Sequence, residues 1–248
     1  MVRSNYPLLD LGSSLKKGDI FASAAERDAM VKTCIEVYRR RPFLNTGGMN
    51  FATALAYATF LQRIQPTLVI ESGIWRGFST WWIEQFLPPE TAIICLDPVL
   101  IMPINFGQVY RSPHAAYSTH DFSCISLEIG TQDRACAIFD DHQNALPRLE
   151  QAWGMGIPYV LYDDNLSEPT YHRTFTHAIQ DRDPLIPTLF SLIEEYWVFP
   201  PLLGSLPGCP LDPLYETIPS FLQEFLEELN DPTELGYTWV TLITTQSP

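Results

Sequence analysis

The sequence predicts an α/β protein: a doubly wound, mostly parallel sheet with an N-terminal helical extension and a C-terminal antiparallel strand. Three observations predict it. Short apolar runs at 67–71, 92–96, 115–119, 135–139 and 158–162 have the character of strands buried on both faces. Segments with helical spacing of apolar residues lie before and between them. Nearly every run ends in a carboxylate and then a loop, namely Glu71, Asp97, Asp121, Asp141 and Asp164. In an open parallel sheet the ligand crevice lies outside that carboxyl edge.

The elements follow in order. Ser23-Ala-Ala-Glu26 is a capping box, and a helix is expected from there to about Arg40, with Val31, Cys34, Ile35 and Tyr38 on one face and Pro42 as its stop. A glycine-bearing loop, 45–49, precedes a second helix with Phe51, Ala54, Ala58 and Leu61 at helical spacing. That loop reads equally as an interhelix turn and as a flap over a ligand. The run 67–71 opens the sheet, residues 78–86 read as helix, and Leu146, Leu149 and Trp153 mark a helix between the fourth and fifth strands. The proline-rich stretch 198–213 reads as an extended loop or lid, 220–229 as an amphipathic helix, and 237–245 as a late antiparallel strand. The chain is expected to form a single globular unit, with 1–66 as tail and helical extension and 67–248 as the α/β domain.

Composition narrows the chemistry. The 248 residues carry a formal charge of −14, which repels polyphosphate backbones and disfavours nucleic acid as a partner. All three lysines, Lys16, Lys17 and Lys32, lie near the start, which argues against Schiff-base, pyridoxal and P-loop mechanisms. No Lys, Arg or His follows Arg182, whereas ten Asp and Glu do, so the C-terminal third is not expected to grip an anion. No window approaches the ~20 apolar residues of a membrane span. The five scattered cysteines lack a C-x-x-C pair, as expected of free thiols in the cytoplasm.

The stretch VIESGIWRGFST concentrates the site candidates. Glu71 reads as a surface charge or as a first ligand contact. Gly73 and Gly77 permit tight turning and close backbone approach, and the helix starting near Phe78 directs free N–H groups to the same place. The dinucleotide fingerprint G-x-G-x-x-G is absent. Asp97 ends the second strand 26 residues after Glu71, so one carboxylate suits an ammonium group and the other a ribose diol.

On these residues the chain resembles class I S-adenosylmethionine-dependent methyltransferases of Rossmann-like fold, chiefly small-molecule O-methyltransferases of the macrocin type with E-x-G-x-x-x-G. The resemblance covers roughly 67–166. It implies that Glu71, Gly73 and Gly77 line the cofactor's methionine end, that Asp97 takes the ribose hydroxyls, and that Asp121 lies near the adenine. Trp75, inside the loop, is expected to face the cofactor, and Arg76 to pair a carboxylate. Of Trp81 and Trp82, one is expected in the core.

A second likeness rests on AIFDDHQNALPRLEQAW and IPYVLYDDN, which resemble metal-dependent O-methyltransferases of the catechol and caffeoyl-CoA type. It implies a divalent cation, magnesium for choice, on Asp141, Asp164 and Asn165. Such a cation lowers the pKa of a substrate hydroxyl. The lysine base of that family is missing, with Asn144 in its place. His142 is the substitute base, with Asp141 beside it, or else a residue that supports a ligand or a cap. His172 and His177, five apart, read as solvated or structural, and His120 as a border of the cofactor pocket.

The expected activity is methyl transfer from S-adenosylmethionine to an oxygen of a small, neutral or cationic metabolite. The proline-rich segment and the acidic C-terminal helix are expected to shape the acceptor pocket or a homo-oligomer contact. Two other readings stay open at this point: a cofactor-binding protein without transfer activity, and a metal-dependent hydroxylase or hydrolase using Asp141, His142 and Asp164.

Overall fold

The computed structural model describes residues 20–44, 48–100, 107–130, 132–165, 172–204, 211–236 and 238–246. Part of the 45–49 loop, the middle of the proline-rich stretch and position 237 lie outside the described residues. Ser23 caps the first helix, α1 (Ala24–Tyr38), its Oγ accepting the Glu26 N–H at 3.1 Å. The Glu26 carboxylate accepts the Ala22 N–H (2.6 Å) rather than that of Ser23, so the expected box closes one residue early. The second helix, α2 (Phe51–Ile64), is capped by Asn50 and buried over most of its circumference. Its Ala54 carbonyl accepts the Trp82 indole N–H at 2.7 Å, which ties it to α3 (Phe78–Phe86). Trp81 and Trp82 are both buried, where one had been expected in the core.

Seven strands form one sheet: β1 (Leu68–Ser72), β2 (Ala92–Leu96), β3 (Ala115–Ser118), β4 (Ala135–Phe139), β5 (Tyr159–Tyr162), β6 (Ile193–Val198) and β7 (Thr241–Thr245), ordered β3-β2-β1-β4-β5-β7-β6. The first five are parallel, and β7 runs antiparallel between β5 and β6. This is the doubly wound, Rossmann-like arrangement expected, with one strand more than the sequence revealed. The unforeseen strand is β6. Its Tyr196 and Trp197 are buried on opposite faces while Glu194 is exposed, and its pairing slips between Ile193 and Glu195. No simple alternation marks it.

Apolar side chains cover both faces. Val69, Ile93, Ile138 and Leu161 pack with α1, α2, α3 and α7 (Ser220–Leu229). Ile70, Ala137, Phe139 and Val160 pack with α4 (Ala145–Gly154), α5 (Phe175–Gln180) and α6 (Ile186–Phe190). Helix α3 leaves β1 on one face and α4 leaves β4 on the other. The order therefore reverses between these strands, and their carboxyl ends open the crevice where a ligand can enter. Among the described residues, no helix is long and apolar enough to cross a membrane.

Candidate active site

The β1–α3 loop is held by hydrogen bonds that its residue types require. Gly73 has φ +91° and Gly77 φ +85°, conformations that L side chains rarely adopt. A Cβ on Gly73 would stand 2.3 Å from the Asp140 carbonyl oxygen, and one on Gly77 2.3 Å from that of Tyr110. The two glycines thus let the loop lie directly on the β4 exit and on the segment before β3. Between them the backbone amides of Ile74 and Trp75 both donate to Asp97 Oδ2 at 3.1 Å, and the Val99 amide donates to Oδ1 at 2.7 Å. A carboxylate has about four acceptor sites, so Asp97 keeps roughly one for a further donor. Trp75 sits in the left-handed region at φ +46° and remains 46 % exposed at the mouth. Arg76 pairs with no site carboxylate in the described contacts. Its Nε donates to the Gln108 carbonyl and its guanidinium stacks on Phe43.

Glu71 faces the α3 side of the sheet, fully buried, where Oε2 accepts from Thr80 Oγ1 at 2.6 Å and from Cys95 Sγ at 3.6 Å. Oε1 has no hydrogen-bond partner among the described residues. Burial pushes its pKa up to about 7, against the hydrogen bonds from Thr80 and Cys95.

At the tips of β4 and β5 the side chains alternate between the protein and an open cleft lined also by Tyr162, His172 and Thr174. Asp141 is turned inward: Oδ2 accepts from Ser72 Oγ at 2.7 Å and pairs with Arg148 at 2.8 Å. Arg148 also grips Asp121 with both guanidinium nitrogens, at 3.0 and 2.6 Å, and so holds the Asp121 carboxyl well below the usual range. His142 then takes φ +54°, which reverses the chain. Its Nε2 comes within 3.5 Å of Asp164 Oδ2 and 3.8 Å of Asp140 Oδ1. Asp140, His142 and Asp164 offer three donor atoms within 4.8 Å of one another. The Asp164 carboxylate, accepting from the His142 imidazole and opposed by partial burial, raises the His142 pKa.

On β5 the flanking residues are the anchored ones. Asp163 Oδ1 accepts from Thr238 Oγ1 at 2.8 Å. Burial and the neighbouring Asp164 push Asp163 up to about 7. The buried Tyr57 hydroxyl is directed at Asp163 without reaching hydrogen-bond geometry. Burial, Asp163, Asp164 and Glu71 together raise Asp140, although its side chain is still 30 % exposed. Asn165, 1 % exposed, spends its side-chain amide on Thr176 and Thr241.

The sequence-derived residues therefore separate into groups. Glu71, Gly73, Trp75, Gly77 and Asp97 gather around the β1–α3 loop. Asp164 and His142 meet at the cleft. Asp141 and Asn165 line that cleft but have their side-chain oxygens engaged by other protein groups, and Asp140 stands in the cluster where Asp141 was expected. Which of two successive aspartates faces outward depends on how the chain leaves the strand, and the motif alone carries no signal for it. His172, read from sequence as solvated or structural, lines the cleft instead: its ring centroid lies 5.2 Å from that of His142, and Nε2–H donates to the Asp164 carbonyl at 3.3 Å. Burial lowers its pKa. His177 is structural as expected, closing the α5 capping box with Thr174.

The donor set of Asp140, His142 and Asp164, two carboxylate oxygens and one imidazole nitrogen, suits a divalent cation of the magnesium-to-zinc range. Opposite charge is scarce there: among the described residues lining the cleft, Arg148 is the one guanidinium, and it is committed to Asp121 and Asp141. The cleft therefore favours cations over anions.

No protein-family model matches the chain, and no curated protein sequence matches it. Solved structures do. The chain is similar to the O-methyltransferase TomG from Streptomyces achromogenes in complex with SAM, at 12 % identity over 100 % of both chains and a TM-score of 0.45. It is similar to the O-methyltransferase from Bacillus cereus in complex with SAH, at 13 % identity over 88 % of this chain and 90 % of that one, TM-score 0.41. A third is cmcI-D160 with Mg-SAM, at 15 % identity over 61 % of this chain and 66 % of that one, TM-score 0.41. These are distant likenesses, and what each of those proteins binds is a property of that protein.

Proposed function

We propose that the chain is an S-adenosylmethionine-dependent O-methyltransferase acting on a small hydroxylated metabolite, with a divalent cation held by Asp140, His142 and Asp164. The observation that carries this reading is the contact between the two halves of the site. The glycine loop rests directly on the Asp140 backbone. A ligand seated on the loop therefore has its far end beside the acidic cluster.

Asp97 has two parts in this reading. It fixes the loop through the Ile74 and Trp75 amides, and its remaining acceptor capacity meets a ribose hydroxyl. Glu71 backs the loop from below, and the exposed Trp75 indole covers the mouth. The acidic cleft attracts a sulfonium and repels anionic competitors. S-adenosylmethionine supplies an electrophilic methyl group for in-line displacement, so alignment and exclusion of water provide most of the acceleration. A bound cation, magnesium or a close relative, supplies Lewis acidity to an acceptor hydroxyl. Because His142 Nε2 is directed at two carboxylates, its part is to complete the cluster rather than to act as an isolated base. The free thiols of Cys34, Cys95, Cys124 and Cys136 accord with a cytoplasmic setting.

Calorimetric titration with S-adenosylhomocysteine, repeated across a magnesium and manganese series, tests the reading. Wild type should bind, Asp97→Ala should lose at least about tenfold in affinity, and Asp164→Ala should lose metal dependence while keeping cofactor binding. Wild-type affinity in Asp97→Ala would refute the cofactor assignment.

A further inference from the structure

We infer that Asn165 is a positioning residue whose amide locks Asp164 toward the cleft, rather than a ligand of anything bound there. This rests on the reading of Asp140, His142 and Asp164 as a cation site.

The argument is one of donors and acceptors. Thr241 Oγ1 donates its single proton to the Trp239 carbonyl at 2.7 Å. It can therefore only accept from Asn165, and Asn165 Nδ2 donates to it at 3.0 Å. That fixes the orientation of the amide. Oδ1 must face the other way, where it accepts the Thr176 N–H at 3.0 Å. This N–H belongs to the first turn of α5 and has no partner inside the helix. The Asn165 carbonyl accepts from Thr176 Oγ1 at 2.8 Å, and its N–H donates to the Thr238 carbonyl at 3.1 Å. One side chain thus joins the β5 tip, the start of α5 and the first residue of β7.

Two residues earlier, Asp163 is held by Thr238 Oγ1, which in turn meets Thr53 Oγ1 of α2 at 3.1 Å. Asp164 lies between two anchored neighbours, and its carboxylate stands beside His142 Nε2 at 3.5 Å. Asparagine is specific here. An aspartate at 165 would present an acceptor to a hydroxyl whose proton is already given to Trp239, and the joint would open. At a ligand position the same substitution would do the reverse, because a carboxylate binds a hard cation at least as well as an amide does.

Asn165→Asp, Thr241→Val and Thr241→Ser are the variants, each checked for native circular dichroism. The first readout is the side-chain ¹H–¹⁵N spectrum of the imidazoles at one pH. His142 signals should move in Asn165→Asp and Thr241→Val and return in Thr241→Ser, with His114 and His120 unchanged. The second is Mn²⁺ titration, where Asn165→Asp and Thr241→Val should each weaken binding tenfold or more, as loss of a ligand's supporting partner typically does. Unmoved His142 signals, or Mn²⁺ binding in Asn165→Asp as tight as wild type, overturn the inference. If wild type binds no Mn²⁺, the cation reading falls separately and the imidazole spectrum alone decides.

Discussion

Thr80 Oγ1 donates to Glu71 Oε2 at 2.6 Å, while Oε1 of the same buried carboxylate meets no partner among the described residues. Folding raises Glu71 from 4.5 to about 7. The native state therefore binds more protons than the unfolded chain between those values, and stability falls as pH rises through that window. The penalty at pH 8 is on the order of 3 kcal/mol. Glu71→Gln should unfold at higher urea than wild type at pH 8 and at about the same urea at pH 4. Because burial and the neighbouring Asp164 raise Asp163 as well, the measured quantity is the difference between the two proteins. A difference independent of pH would contradict this account.

Arg148, 4 % exposed, is the cation shared by Asp141 and Asp121. Arg148→Met should cost on the order of 3 kcal/mol, since it leaves the mostly buried Asp141 carboxylate without its cation, held only by Ser72 Oγ and the Gln143 N–H. Asp141→Asn in the same chain should recover part of that loss, which a double-mutant cycle reads directly. Asp121 is depressed in the folded state, so its contribution exists above the ordinary aspartate range and is lost as pH falls. The acid limb of the stability profile should be flatter in Arg148→Met.

Two glycines should respond in opposite senses. Gly73→Ala drives a methyl into the Asp140 carbonyl at a positive φ and should destabilise by about 3 kcal/mol or more. Gly154, at the end of α4, has no neighbouring atom within 4 Å of an added Cβ, so Gly154→Ala should stabilise by about 0.5–1 kcal/mol. Thermal melts of the pair test whether the loop really rests on the β4 exit.

The two aspartates at the β4 tip should separate by phenotype. Asp140→Asn should weaken Mn²⁺ binding roughly tenfold with little change in melting temperature. Asp141→Asn should chiefly lower the melting temperature, because it weakens the links to Ser72 and Arg148. An isothermal titration and a melt on each variant are sufficient, and the reverse pattern would restore Asp141 as the ligand.

What the sequence disclosed follows from burial. Strands such as Ala135–Phe139 are buried along their whole length and read as unbroken apolar runs. Helix Phe78–Phe86 was legible to the residue because glycine and proline bracket it. Helices Phe175–Gln180 and Ile186–Phe190 were not, since five or six residues are too few to establish a helical period. The site was legible as a set of strand ends, not as a set of directions. Asp140 and Asp141 are chemically identical neighbours, and only the reversal at His142 and the pull of Arg148 distinguish them. His172 escaped because nothing local distinguishes a histidine that packs across a cleft from one in solvent.

The antiparallel insertion of β7 has a consequence for synthesis on the ribosome. Thr238 and Thr241, which secure Asp163 and Asn165, follow them by 75 and 76 residues. The early strands can dock while translation continues, but the β5 tip waits for its last partners. A nascent chain halted before β7 would carry the glycine loop with an unfinished acidic corner. That corner is thereby completed only once elongation has passed that strand.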